Sequence, residues 1–434
     1  MSVPTPSRQP QIRQHPIAFA LRTGAEAGVF LGCLALLAHT WLIQGIVVPF
    51  RVASGSMWPA LDGPHFTVHC TGCRLRFDCA AENTPADRRV VCPRCGRLID
   101  ATSQPVVPGT RILVNRAAYL CGSAARWDVV VARCPESLQP YCVKRLVGLP
   151  GERIRFSAGD VIVDGRIVPR PWSVIRKAWV PVHGEPFTDR PNANAQRWRV
   201  EPGSKWRRTS EAFVYESSAA TSATAPIDWI VYHHQHVSRT GTVPGPILDD
   251  SPHDQAESRE LAPVHDLFVR IALEARDAQL LLRFGTGDAA ATVSLQTAQG
   301  RGFVRRGSDE VLFSFAPLPT DRPANLELGL VDGEVRCSID GEEFLAAACK
   351  LPADAISASS TPLAVGASSG SAKLFAIEVF RDVHYMSPPA KDNYVWQLGP
   401  DEFFLLGDNA AGSVDSRSFG AVKNESLIGK CLTW

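Results

Sequence analysis

The chain has 434 residues, with 45 Lys and Arg against 44 Asp and Glu, a formal net charge of +1. A balance this near neutrality supplies no global field for polyanions, so no nucleic-acid partner is expected. The length suits two or three domains. Twelve cysteines leave disulfides and metal sites both open.

From Ala27 to Phe50 there is no Asp, Glu, Lys or Arg; His39, Thr40 and Gln44 are the polar interruptions. As a helix this segment extends about 36 Å, enough for a hydrocarbon core of about 30 Å. Arg8, Arg13 and Arg22 precede it, with no acidic residue before Glu26. Basic flanks favour the cytoplasmic side. The expectation is a cytoplasmic tail over 1–26, a transmembrane helix over 27–50 and an extracytoplasmic remainder, single-pass in the cell (inner) membrane. A buried soluble helix is the main rival; a cleaved secretory signal is another, but its apolar core runs to only about 7–15 residues.

Ser54-Gly55-Ser56-Met57-Trp58-Pro59 follows within a few residues, a small-residue turn suited to a nucleophile held at a bilayer surface. A cysteine-rich piece occupies 64–105. In it Cys70-Thr71-Gly72-Cys73 and Cys92-Pro93-Arg94-Cys95 are two Cys-x-x-Cys knuckles eighteen residues apart. That is the spacing of a four-cysteine zinc ribbon, and one structural zinc on Cys70, Cys73, Cys92 and Cys95 is the favoured reading. Two disulfides are the rival in an oxidising exterior, though closing each Cys-x-x-Cys strains the bridge. Four protein ligands leave no open position for catalysis. Cys134 and Cys142 flank a loop and are candidates to pair.

Residues 106–172 resume with strand-like runs at Gly109–Arg116 and Arg126–Val131, then Tyr141-Cys142-Val143-Lys144-Arg145-Leu146-Val147-Gly148. From 173 to 395 short alternating runs recur, separated by turns such as Asp332-Gly333 and Asp340-Gly341; this pattern argues a β-sandwich or jelly roll. Val335 to Phe344 resembles the strand–turn–strand of concanavalin-like or laminin-G-like sandwiches. His233-His234-Gln235-His236 is read as an exposed loop in preference to a metal-ligating cluster. Residues 396–434 carry Gly407-Asp408-Asn409 and Ser413-Val414-Asp415-Ser416-Arg417.

A serine hydroxyl needs an adjacent base, and none of the three motifs contains a His. A lysine serves if burial keeps it neutral, and Lys144 has the apolar neighbours Tyr141, Val143, Leu146, Val147 and Leu149. Strand alternation should turn Arg145 away from it.

In order, these three segments resemble the signature boxes of type I signal peptidases, the membrane-bound Ser/Lys proteases that remove signal peptides. The resemblance implies Ser56 as nucleophile, Lys144 as general base, Ser54 in the oxyanion hole, Ser413 orienting the lysine, and Asp415 with Arg417 as a structural ion pair. It implies a β-rich catalytic core in three pieces, 51–63, 106–172 and 396–434, and no cofactor for catalysis. Its substrates would be preproteins cut after small residues of Ala-x-Ala type. The chain departs from the family pattern at Ala53, at Ala60 and at Ala410-Ala411-Gly412. The fold expected is thus mainly β: an anchor helix, a split core, an inserted zinc-ribbon-like lobe and an inserted sandwich dispensable for the chemistry. The alternative is a catalytically weak surface-anchored protein whose sandwich binds a carbohydrate or peptide.

Overall fold

The computed structural model describes residues 16–119, 122–135, 140–185, 196–217, 226–256, 258–319, 321–351, 356, 358–387 and 394–432. The tail residues Arg8 and Arg13, and Cys121, lie outside them. An α-helix runs over Pro16–Ala38 and continues as a π-helical stretch over His39–Ile46. A strand follows at Val47–Arg51. The segment expected as one helix over 27–50 therefore ends its helical part at Ile46. The physical reason is local: Val47 and Val48 are β-branched, and Pro49 has no N–H to continue a helix. Pro49 is tolerated because this strand pairs on one side only, with Arg111–Asn115. Among the described residues no helix is long and apolar enough to cross a membrane. Val29, Phe30, Leu31, Leu34, Leu36 and Leu37 are all more than half exposed.

A seven-stranded sheet gathers the distant pieces of the chain. Its order is Val47–Arg51, Arg111–Asn115, Leu427–Cys431, Val129–Ala132, Cys142–Gly148, Glu402–Leu406 and Val422–Lys423. Beside it a four-stranded sheet pairs Arg153–Ser157 with Trp396–Gln397, on opposite sides of the long insertion in sequence. Phe156, Trp396 and Phe404 pack edge-on or tilted between the two sheets. Each such buried aromatic contributes roughly 1.5–3 kcal/mol, so the joint is held by side chains from both halves of the sequence.

The insertion is built on thirteen strands around two long ones, Leu267–Phe284 and Leu363–Arg381, antiparallel to each other along their whole length. Bulges at Ala272/Leu273 and Arg276/Gln279 bend them. The sheet thereby closes around one apolar core that includes Trp198, Phe213, Tyr232, Ile271, Leu280 and Val365. Its entry and exit are adjacent. Gly159 bridges Tyr385, and buried Arg170 pairs with both Asp332 and Asp382.

The cysteine-rich lobe is two hairpins, His65–His69 with Arg76–Ala80 and Arg89–Val91 with Leu98–Asp100. Each carries one knuckle at its turn. The left-handed residues after the knuckles are Arg74 at φ 60° and Gly96 at φ 74°. Gly72 serves another need, since a Cβ there would meet Arg97 at 2.7 Å. The lobe docks on the sandwich insertion through Gln255, which bonds both backbone groups of Val91, and through Arg239 on Asp87.

Candidate active site

The Ser56 turn is a short 3-10 helix, Gly55–Met57, closed by the Trp58 N–H on Gly55 O. Met57 is buried and packs beneath it with Val52, Leu61, Ile112 and Val131. Ser54 Oγ donates to Ser56 Oγ at 3.2 Å. Lys144 projects from the strand Cys142–Gly148 and is 3% exposed. Its Nζ donates to Ser413 Oγ at 3.0 Å across 269 residues of sequence. Burial lowers the Lys144 ammonium to about 8; Asp415, Asp408 and Glu82 resist that fall and Arg417 adds to it. Neutral Lys144 is therefore accessible near neutral pH.

Ser54, Ser56 and Lys144 line one open cavity of about 510 Å³, with Phe50, Val52, Val131 and Val143 as its apolar wall. Gly407 explains how close the last motif approaches. A Cβ there would lie 2.2 Å from Ser413 Oγ and 2.4 Å from Ser56 O, so only glycine fits. Asp415 and Arg417 stand behind: two bonds of 2.8 and 2.9 Å join them, and Asp415 Oδ2 accepts from Gly407 N–H. Arg417 also reaches Ala410 O, which ties the Ala410-Ala411-Gly412 run to the ion pair.

Arg145 is buried and held by Asp408 in a fork of 2.7 and 2.5 Å, with a third bond to Trp127 O. It sits among its own partners and not beside Lys144. The pair is what alternation predicts of two neighbours on a strand, except that Arg145 faces a buried carboxylate and not water.

The four knuckle cysteines converge, with all four sulfurs within 4.8 Å of one another. Cys70–Cys95 and Cys73–Cys92 approach to 3.5 Å. Sulfurs bound tetrahedrally at 2.3 Å to one zinc lie about 3.8 Å apart, so the donor set and its size fit that ion. The hydrogen bond from Cys92 lowers the Cys73 thiol to about 5. Cys79 is a separate matter: it is buried, pushed up to about 12, and directed at Pro252 O. Cys134 and Cys142 form a disulfide at the cavity rim. The histidine run does not behave as an exposed loop throughout. His234 is 7% exposed, bonds Tyr232 OH and donates its N–H to Ser360 O, while Gln235–Ser238 beside it pairs with Gly241–Pro244.

Several groups at the site had no motif to announce them. Glu82 Oε1 accepts from Gly55 N–H at 2.6 Å, and Glu82 and Asn83 line the cavity. His253 stacks on Trp58 at 4.9 Å. Asp254 accepts from Asn83 and from Asn409 Nδ2. The sandwich insertion thus contacts the nucleophile turn through His253 and, by way of Asn409, through Asp254.

Comparison with known proteins finds two separated matching stretches. The family model for signal peptidase, peptidase S26, matches residues 90–206 and 368–434. Those stretches contain Lys144, Ser413, Asp415 and Arg417, and do not include Ser54 or Ser56. Signal peptidase I V of Bacillus subtilis (strain 168) is 31% identical over 64 residues, 15% of this chain and 37% of that protein. Signal peptidase I of Bacillus caldolyticus is 34% identical over 64 residues, 15% and 34% of the two. The chain spans about a third of the length of these relatives. A carbohydrate-binding module from Bacillus subtilis is similar to 43% of this chain and 96% of its own, with a TM-score of 0.29 and 9% identity; a likeness that distant bears on no ligand. Over these matched segments the chain is similar to the signal peptidase family, peptidase S26, and to type I signal peptidases.

Proposed function

We propose that the protein is a membrane-attached serine endopeptidase that removes signal peptides from exported preproteins with a Ser56/Lys144 dyad. The observation that carries the reading is a buried lysine lowered to about 8, opening on the same cavity as a serine in a glycine turn. Neutral Lys144 takes the proton from Ser56 Oγ as that oxygen attacks the scissile carbonyl. The oxyanion is met by Ser56 N–H and by the Ser54 hydroxyl, which must rotate away from Ser56. Donors of this kind are worth roughly 3–4 kcal/mol each. Collapse of the tetrahedral species passes the Lys144 proton to the leaving amine and leaves an ester on Ser56. Lys144 then activates a water that hydrolyses the ester. Ser413 orients the lysine, and Asp415 with Arg417 supports Ser413.

Phe50, Val52, Val131 and Val143 offer an apolar wall suited to small residues, which supports cleavage of Ala-x-Ala type. The exposed apolar helix supports attachment to a bilayer. The Cys134–Cys142 disulfide at the cavity rim favours an oxidising, extracytoplasmic side for the catalytic core. A structural zinc would fix the two knuckles and take no part in the reaction. The test is cleavage of an Ala-x-Ala preprotein in detergent by wild type, Ser56→Ala and Lys144→Met. Only the wild type should cut; cleavage by either variant at near wild-type rate contradicts the dyad.

A further inference from the structure

Gly55 precedes the nucleophile, and residues from outside the core motif reach both of its backbone groups. Its N–H donates to Glu82 Oε1 at 2.6 Å, from the cysteine-rich lobe. Its C=O accepts from Trp58 N–H at 3.0 Å within the turn and also from Asn409 Nδ2 at 3.3 Å, and that same amide nitrogen donates to Asp254 Oδ2 at 2.6 Å, in the sandwich insertion. Asp254 Oδ1 accepts from Asn83 Nδ2 at 3.0 Å, so the carboxylate joins the two inserted units to each other and to Asn409. Asn409 N–H also donates to Ser56 O at 3.1 Å. Space is as restricted as polarity. A Cβ at Gly55 would lie 2.9 Å from His253 Cε1 and 3.3 Å from Glu82 Oε1. His253 in turn lies flat on Trp58, with rings 12° apart.

A peptide unit is planar, with its N–H and C=O pointing opposite ways. The carbonyl of Gly55 and the N–H of Ser56 belong to one such unit. Anchoring Gly55 O on Asn409 therefore aims the Ser56 N–H the other way. The Ser54–Gly55 unit is anchored at its N–H by Glu82, which sets the plane that carries Ser54. These are the two residues that supply the oxyanion donors in the proposed reaction.

We propose that Glu82 and Asp254, one from each inserted unit, are positioning residues that clamp the Gly55 peptides and pre-set the oxyanion donors of Ser56 and Ser54. The proposal rests on the peptidase reading of Ser56. It assigns a catalytic purpose to both insertions: each closes one side of the nucleophile turn. Asp254 is 5% exposed; burial works against its charge, yet His253, Asn83 and Asn409 hold its carboxyl below the ordinary range, so it is a fixed anion for Asn409. Glu82 has a second effect, because it faces Lys144 together with Asp415, Asp408 and Arg417.

The test uses the full chain in detergent, with Glu82→Ala, Glu82→Gln, Asp254→Ala and Asp254→Asn. Glu82→Ala and Asp254→Ala should each lower kcat about 10- to 100-fold with KM changed less than threefold, since misaimed donors fail only in the transition state. Glu82→Gln keeps an acceptor for Gly55 N–H and should recover much of kcat. Its pH–rate profile should move to lower pH, because an anion facing Lys144 is gone. Asp254→Asn should recover less, having one acceptor oxygen for two donors, and should leave the profile in place. Hydrogen exchange of a peptide covering residues 54–57 is read in parallel. Glu82→Ala should speed exchange there at least tenfold while the core strand 142–148 stays protected. If wild type does not cut the preprotein, the peptidase reading fails, and the exchange data alone decide whether the two carboxylates hold the turn. Unchanged kcat and unchanged exchange at 54–57 in both alanine variants overturn the proposal. Loss of protection across 142–148 as well assigns these residues to folding and overturns it equally.

Discussion

The core and the two insertions meet around the nucleophile turn by different routes, and the difference shows where function is written in a sequence. Core residues arrive in short runs whose own spacing does the work. The turn Ser54 to Trp58 presents two serines, the strand Cys142–Gly148 sends Lys144 one way and Arg145 another, and Gly407 admits Ser413 at contact distance. The insertions send single side chains, Glu82 and Asp254, from segments with no pattern of their own. A core residue is therefore expected to act on the chemistry, and an insertion residue on the geometry that precedes it.

The largest effects should come from breaking the core. Ser56→Ala and Lys144→Met should each reduce cleavage at least 10³-fold, and the double variant should be no worse than either. Additive losses in preprotein cleavage assays would separate the two residues and remove the dyad. Gly407→Ala should follow, with a loss of about 10²-fold, because its methyl group cannot share space with Ser413 Oγ and Ser56 O. An active, well-folded Gly407→Ala enzyme would show that the last motif does not approach the serine as described.

Ser413→Ala should cost less, about 10-fold, since Lys144 keeps its burial and loses one hydrogen bond. Lys144→Met should also raise stability at pH 7, by about 1–3 kcal/mol. The folded protein releases the Lys144 proton near 8, whereas the unfolded chain holds it to 10.5. Wild-type stability therefore rises with pH through that window, and the advantage of the methionine should shrink there. Denaturant melts of the two proteins at pH 7 and pH 10 check the sign.

The smallest and most indirect effect sharpens the contrast. One zinc per chain is expected on the four knuckle cysteines, measured by metal analysis. Cys92→Ser should lower the melting temperature by several degrees, because a structural zinc supplies folding free energy. Activity should fall only several-fold, through looser placement of Glu82. Four thiols blocked under non-reducing conditions with no zinc would assign disulfides instead.

Legibility followed the same division. Ser56, Lys144 and Ser413 were singled out through the family resemblance of their motifs, and the cysteine knuckles through their spacing; the fold brings Lys144 to Ser413, puts Ser56 and Lys144 on one cavity and gathers the four cysteines. The mainly β character showed in the alternation of runs such as Leu267 to Leu273. The end of the first helix was misread because a charge count cannot see that Val47, Val48 and Pro49 prefer an edge strand. His234 was misread because a polar run looks exposed until contacts such as Tyr232 OH and Ser360 O bury one of its rings. Glu82 and Asp254 were invisible for a different reason. Their role exists only once Asn83, Asp254 and Asn409 meet, and those contacts span 171 and 155 residues of sequence.

The pH dependence of a single turnover on an Ala-x-Ala preprotein, between about pH 6 and 10, tests the central claim most directly, because the proposed base is a lysine lowered to about 8. The wild-type rate should climb about tenfold per unit below that value and level off above it, as Lys144 becomes neutral, with Lys144→Met inactive throughout. A flat profile, or the same rising profile in Lys144→Met, would contradict a Ser56/Lys144 peptidase.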